Sequence, residues 1–161
     1  VTKKYLAICE GRCLASEGLI DQPLFTQHDG KVIITRKGRS SQTAWKVVER
    51  FTSHTLFEAH PLTGRTHQIR VHLSSLGHPI VGDTVYGASG PLFLSSIKGR
   101  KKYKLSADLE QENPLISRIA LHAVSILITD YETKQVMEIS SDLPKDMRVS
   151  LKQLRQWSAI V

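Results

Sequence analysis

The chain has 161 residues, 40% of them hydrophobic, which is material for one globular core and argues against a second independent domain. No apolar run approaches the ~18–20 residues of a membrane span, and collagen-like, mucin-like and coiled-coil compositions are excluded. A formal charge of +7 and a pI near 9.6 favour an anionic partner, nucleic acid ahead of acidic lipid.

The chain opens at Val1 and enters strand-like alternation at once in "KKYLAICE" (Lys3–Glu10), with Tyr5, Ala7 and Cys9 on one face and Leu6 and Ile8 on the other. No signal segment precedes it, and such a start suggests a piece of a longer chain. Gly11–Asp21 contains two glycines and reads as a turn. "KVIITR" (Lys31–Arg36), "TAWKVVERF" (Thr43–Phe51) and "TLFEAH" (Thr55–His60) follow as three more strands, joined by polar turns into an antiparallel meander. At Pro61 the period changes. "THQIRVHLSSLG" sets Ile69, His72, Leu73 and Leu76 on one helical face, with Thr66 as N-cap and Gly77 as the stop. "HPIVGDTVYG" (His78–Gly87) reads as a short strand between loops.

Residues 88–117 carry a basic run, "KGRKKYK" (Lys98–Lys104), then the acidic "DLEQEN" (Asp108–Asn113), the profile of an insertion or flexible loop. The basic run reads as a solvated loop, with contact to RNA phosphates as the alternative. "ALHAVSILI" (Ala120–Ile128) is a buried strand continuing to Thr129, and "QVMEI" (Gln135–Ile139) is its hairpin partner. Asp142 or Pro144 opens a closing helix with Met147, Leu151 and Leu154 as its apolar positions. The class is α+β, a mostly antiparallel sheet with one or two packed helices, in a single domain over 1–161.

The chemistry concentrates in "HPLTGRTHQIRVHL" (His60–Leu73). A helix N-terminus exposes backbone N–H groups and a partial positive charge, and Arg65 stands just before it, behind Gly64. Arg65 is therefore placed to hold a carboxylate or phosphate bidentately. Arg70, His60 and His78 read as surface or packing residues, with a second phosphate as the alternative for Arg70. His60, His67, His72 and His78 are spaced by seven, five and six, so no pair has the i,i+4 spacing of a helical metal site. No G-x-S-x-G elbow or P-loop is present. Cys9 and Cys13 form neither a zinc pair nor a disulfide framework and fit reduced thiols in a cytosol-like compartment.

Several segments together resemble the RluA-type pseudouridine synthases: "HPLTGRTHQIRVHLSSLGHPIVGDTVYG", "KKYLAICEG" as the K-x-Y-x-A motif, "RIALHA" (Arg118–Ala123) as the L-H-A motif, and "LPKDM" (Leu143–Met147). They occur in the family's order and cover most of the chain outside 88–117. The resemblance implies isomerisation of uridine to pseudouridine in rRNA or tRNA, without cofactor or metal, on a nucleotide flipped into a cleft. It maps the uracil-stacking tyrosine, a candidate for proton removal at carbon 5, to Tyr5, and the arginine that pairs with the catalytic aspartate to Arg65. Thr66, His67, Gln68, Ile69, Arg70 and Leu121 become substrate-side residues, with Ile69 and Leu121 packing near the pocket.

The family's R-L-D-x-x-T-S-G motif, which carries the aspartate, has no match here, and its place lies upstream of Val1. Asp83 falls in the family's "GD" and reads as a turn residue. The expectation is therefore the C-terminal portion of a catalytic domain, inactive alone, with a non-catalytic RNA-binding relative as the alternative. A sheet without its upstream strands would expose an edge, which makes self-association through that edge an expectation too.

Overall fold

The computed structural model describes residues 1–99, 103–104 and 111–160. Its frame is a six-stranded antiparallel sheet built from β1 (Thr2–Glu10), β2 (Glu17–Asp21), β5 (Gln42–Arg50), β6 (His54–Pro61), β7 (Leu121–Thr129) and β8 (Val136–Ser140) in the order β2-β5-β6-β1-β7-β8. A separate hairpin pairs β3 (Leu24–Thr26) with β4 (Val32–Ile34). Three helices complete the fold: α1 (Gln68–Ser75), α2 (Leu94–Lys98) and α3 (Lys145–Trp157). The class is α+β, as the pattern of residues implied.

Period-2 alternation explains which residues face which layer. Along β6, Thr55, Phe57 and Ala59 share one face, where the register aligns them with Cys9, Ala7 and Tyr5 of β1. Trp45 of β5 meets Phe57 edge-on there, with ring centroids 5.5 Å apart. Helix α1 lies on this side, tied down where Thr43 Oγ1 and His72 Nδ1 stand 2.7 Å apart. Leu56 and Glu58 point to the other face, and α3 is fastened on that side by Arg155 to Glu49 at 2.9 Å. Met147, Leu151 and Leu154 of α3 are buried in the same core cluster as Ile8, Phe51 and Leu56.

The structure corrects several expectations. The strands are not one meander: β1, first in the chain, sits between β6 and β7. Gly11–Asp21 is a turn only in its first half, since Glu17–Asp21 pairs with β5. Only Ile20 of that strand is buried, so no alternation marked it. His78–Gly87 forms no strand. Ile80 makes a single bridge to Cys9, and Thr84–Tyr86 is a 3-10 turn. Gly82 holds a left-handed φ of 84°, and a Cβ there would collide with the Arg118 carbonyl.

Residues 88–117 are not wholly loop. Leu94–Lys98 is helical, Leu92 bridges to Ile116, and Leu92, Ile97 and Ile116 are buried. Lys98 lies over the Trp157 ring at 4.4 Å, so the first lysine of the basic run packs on α3. Residues 100–102 of that run, and 108–110 of the acidic run, lie outside the described residues.

Candidate active site

Tyr5 stands in β1 with Ala59 opposite on β6 and Ala123 opposite on β7. Tyr5 is only partly buried between these small neighbours, and it lines a furrow. A register shift between Lys4 and Tyr5 on the β7 side locally re-aims the strand there, a common device beside functional sites. The turn after β6 closes the furrow. Together Lys3, Tyr5, Pro61, Thr63, Gly64, Arg65, His67, Gln68, Ile69, Arg70 and Leu121 line a cleft of about 270 Å³, just below the ~300–1,000 Å³ of ordinary small-molecule sites.

Of the residues expected at the site, Tyr5, Arg65, His67, Gln68, Ile69, Arg70 and Leu121 thus come together around one cleft. Thr66 does not line it and faces a neighbouring groove instead. Lys3 and Thr63 were missed. Lys3 was legible as the i−2 neighbour of Tyr5 in a strand, whereas Thr63 had no signal in the sequence.

The turn is held by side chains. Gln68, buried, accepts hydrogen bonds at Oε1 from Thr63 Oγ1 (2.8 Å) and the Arg65 backbone N–H (3.0 Å). Its Nε2 donates to the Gln42 carbonyl (2.8 Å) and to Thr43 Oγ1 (3.0 Å). Thr43 in turn donates to His72 Nδ1, and His72 Nε2–H donates to the Gln22 carbonyl at 3.0 Å. Burial pushes the His72 pKa down, so the neutral ring fits this relay.

His67 rather than Thr66 is the N-cap of α1, in a left-handed conformation at φ 52° and with no side-chain cap. The first helical N–H, that of Gln68, donates to the Arg65 carbonyl, so the bare helix terminus expected from the sequence is already partly engaged. A non-glycine residue held left-handed costs about 1–3 kcal/mol, offset here by a 2.7 Å bond between His67 Nδ1 and the Tyr86 hydroxyl. Burial, then the neighbouring Arg70 charge, lowers the His67 pKa.

Arg70 is not a surface charge. Its Nε and Nη2 grip the Asp83 carboxylate bidentately at 2.8 and 3.0 Å, and its guanidinium lies 4.9 Å over the Tyr86 ring. Asp83 is 1% exposed. It braces the segment after α1, and it saturates Arg70. Gln68 therefore spends both of its amide atoms on protein, and His67 and Arg70 are each anchored to protein, through Nδ1 and through Nε and Nη2.

Arg65 differs. Its Nε donates to the Ser40 carbonyl at 3.0 Å, and among the described residues it has no carboxylate partner. Among the described residues no acidic side chain lines the cleft. The cleft thus joins a tyrosine ring, two aliphatic walls (Ile69 and Leu121) and a guanidinium able to accept an anion. Among the described residues, no group of three or more His, Cys, Asp or Glu is placed to hold a metal. No described helix is long and apolar enough to cross a membrane.

The site is a small cleft that sets an aromatic ring beside a guanidinium with no carboxylate partner among the described residues. Comparison with known proteins points to one family. The family model for RNA pseudouridylate synthase matches residues 1–75. The chain is 36% identical over 157 residues to ribosomal large subunit pseudouridine synthase D of Nitrosomonas europaea, covering 96% of this chain and 41% of that protein. It is 35% identical to the enzyme of the same name from Vibrio parahaemolyticus, covering 97% and 46%. The solved structure of human RNA pseudouridylate synthase domain containing 4 superposes with a TM-score of 0.65 at 29% identity, covering 96% of this chain and 62% of that one. Just under half of the chain thus matches the RNA pseudouridylate synthase family model, and nearly all of it is similar to enzymes named for that activity. It spans less than half the length of the two ribosomal enzymes it resembles.

Proposed function

We propose that this chain forms the uracil-binding wall of an RNA pseudouridine synthase, with Tyr5 stacking on the flipped base and Arg65 holding the catalytic carboxylate. The observation that carries the reading is the cleft between them, which pairs an aromatic ring with a guanidinium that has no carboxylate partner among the described residues. The attacking aspartate is supplied by residues outside these 161, and the chain alone is then inactive.

In the reaction the bond from ribose C1′ to uracil N1 breaks. The base turns within the cleft, C5 bonds to C1′, the C5 proton leaves, and N1 takes up a proton in its place. Tyr5, at the floor of the furrow, is placed to hold the base through that turn and to take the proton. Ile69 and Leu121 keep the base plane dry. Arg65 holds the carboxylate ionised and oriented, which a guanidinium does better than an ammonium because it binds both oxygens. His67, Gln68 and Arg70 position the turn rather than touch the base. The relatives named for the large ribosomal subunit favour rRNA as the substrate.

Incubating the full protein with unmodified rRNA and tRNA transcripts, then quantifying nucleosides by mass spectrometry, tests this. Pseudouridine in the rRNA is the expected result. RNA that is bound yet returned with every uridine unchanged would contradict it.

The self-association expected of an open edge has its place at β8, where Val136, Met137 and Ile139 are each more than half exposed beside unpaired backbone groups. Sedimentation of the 161-residue chain should show a concentration-dependent dimer, and a monomer at high concentration removes the idea.

A further inference from the structure

A second groove opens directly from the cleft. Gly64 and Arg65 line both cavities, and from them a groove of about 470 Å³ runs under the β3–β4 hairpin past Thr66, Lys37, Arg39 and Phe25. Its lining includes no carboxylate. Lys37 and Arg39 are exposed, and neither side chain has an ion-pair partner among the described residues. Phe25 is 48% exposed on a three-residue strand that buries Leu24 instead.

This hairpin is mounted rigidly on the catalytic turn. Leu24 and Val32 pack with Val71 of α1 and with Tyr86. The Val32 N–H donates at 3.0 Å to the same Tyr86 hydroxyl that holds His67. Leu24 and Arg39 exchange both backbone hydrogen bonds, at 2.8 and 3.0 Å, which fixes Arg39 beside Phe25. Gly38 makes this approach possible, since a Cβ there would stand 2.6 Å from the Leu24 carbonyl carbon. An aromatic face and two cations without an ion-pair partner among the described residues thus share one groove with Arg65.

We propose that this groove binds the single-stranded nucleotide adjacent to the one in the cleft, with Phe25 stacking on its base and Lys37 and Arg39 holding the phosphates between them. The inference rests on the RNA reading above and adds a subsite to it. Flipping one nucleotide out of a stack exposes the face of its neighbour, and an aromatic ring replaces that lost stacking without reading sequence. Cations tracking the backbone supply affinity in a salt-dependent way.

The test uses the full protein and two short uridine-containing oligoribonucleotides, with 2-aminopurine immediately 5′ of the uridine in one and 3′ in the other. One probe should change fluorescence on binding. Phe25→Leu should abolish that change and weaken binding about fivefold or more, while Phe25→Trp retains both. Lys37→Gln with Arg39→Gln should flatten the salt dependence by about 1.4 in slope, two single-strand phosphate contacts at ~0.7 each. If Phe25→Leu and the double variant, folded by circular dichroism, bind with wild-type signal and slope while pseudouridine still forms, the subsite falls and the synthase reading stands. If the wild-type protein binds neither probe, both fall together.

Discussion

Gln68 shows how much of a catalytic turn one side chain can organise. Its amide satisfies Thr63, the Arg65 backbone, Gln42 and Thr43 at once, the last of them fully buried. Gln68→Leu should cost about 1–3 kcal/mol, because the turn loses all four bonds together and the buried Thr43 hydroxyl loses a donor, and thermal unfolding would read it. An unchanged melting temperature would show that the turn holds itself. Arg70→Met should cost about 3–5 kcal/mol by leaving the Asp83 carboxylate buried and unpaired. A double variant, Arg70→Met with Asp83→Asn, should recover part of that loss, and failure to recover any would argue against the pair as the cause. The donor-rich turn was legible as a site in the sequence, and Arg65 as its anion-holding member. The separation of Arg65 from Gln68 and Arg70 was not, because it depends on Gln42, Thr43 and Asp83, which lie 13 to 26 residues away in the chain.

At the scale of elements, the central strands and α3 were readable because one period carried the signal. Strands β2 and β3 were hidden for a physical reason: a half-exposed edge and a three-residue arm bury one residue each. The cap of α1 was misplaced because a left-handed histidine tied to Tyr86 replaced the side-chain cap that Thr66 promised. The contact between α1 and the sheet also makes stability depend on pH. His72 is held neutral with its pKa below the ordinary 6.5, so the unfolded chain binds the proton more readily. Its contribution is therefore complete above pH ~6.5 and is lost as pH falls through that value toward the folded pKa. On the opposite face, burial alone would raise the Glu58 pKa, but hydrogen bonds from Lys4, Lys46 and His60 outweigh it and hold the group at about 2. That stabilisation is present above 4.5 and disappears as pH falls toward 2. Denaturant titrations of Glu58→Gln should accordingly match the wild-type protein near pH 2 and fall below it at pH 7. Parallel curves throughout would remove Glu58 as the source.

Seen whole, the molecule is a basic sheet of net charge +7, and among the described residues Arg65 and Lys3 stand without a carboxylate partner at the aromatic furrow. The two arginines of the cleft illustrate the contrast: Arg70 has its charge paired bidentately with Asp83, and Arg65 donates to nothing stronger than a carbonyl. The charge was visible in composition, but the asymmetry between two arginines five residues apart emerges only from the fold. The central claim is that Arg65 is the anchor of a catalytic carboxylate and not a general RNA contact. Tritium release from RNA carrying 5-tritiated uridine, measured in single turnover beside equilibrium RNA binding, tests it most directly, with the full protein as wild type and as Arg65→Met. The account predicts release by the wild type, and in the variant a rate at least about 100-fold lower, the loss expected when a preorganised charge leaves the reacting group, with RNA affinity within a few fold. Release at the wild-type rate by Arg65→Met, or a loss explained entirely by weakened binding, would contradict it.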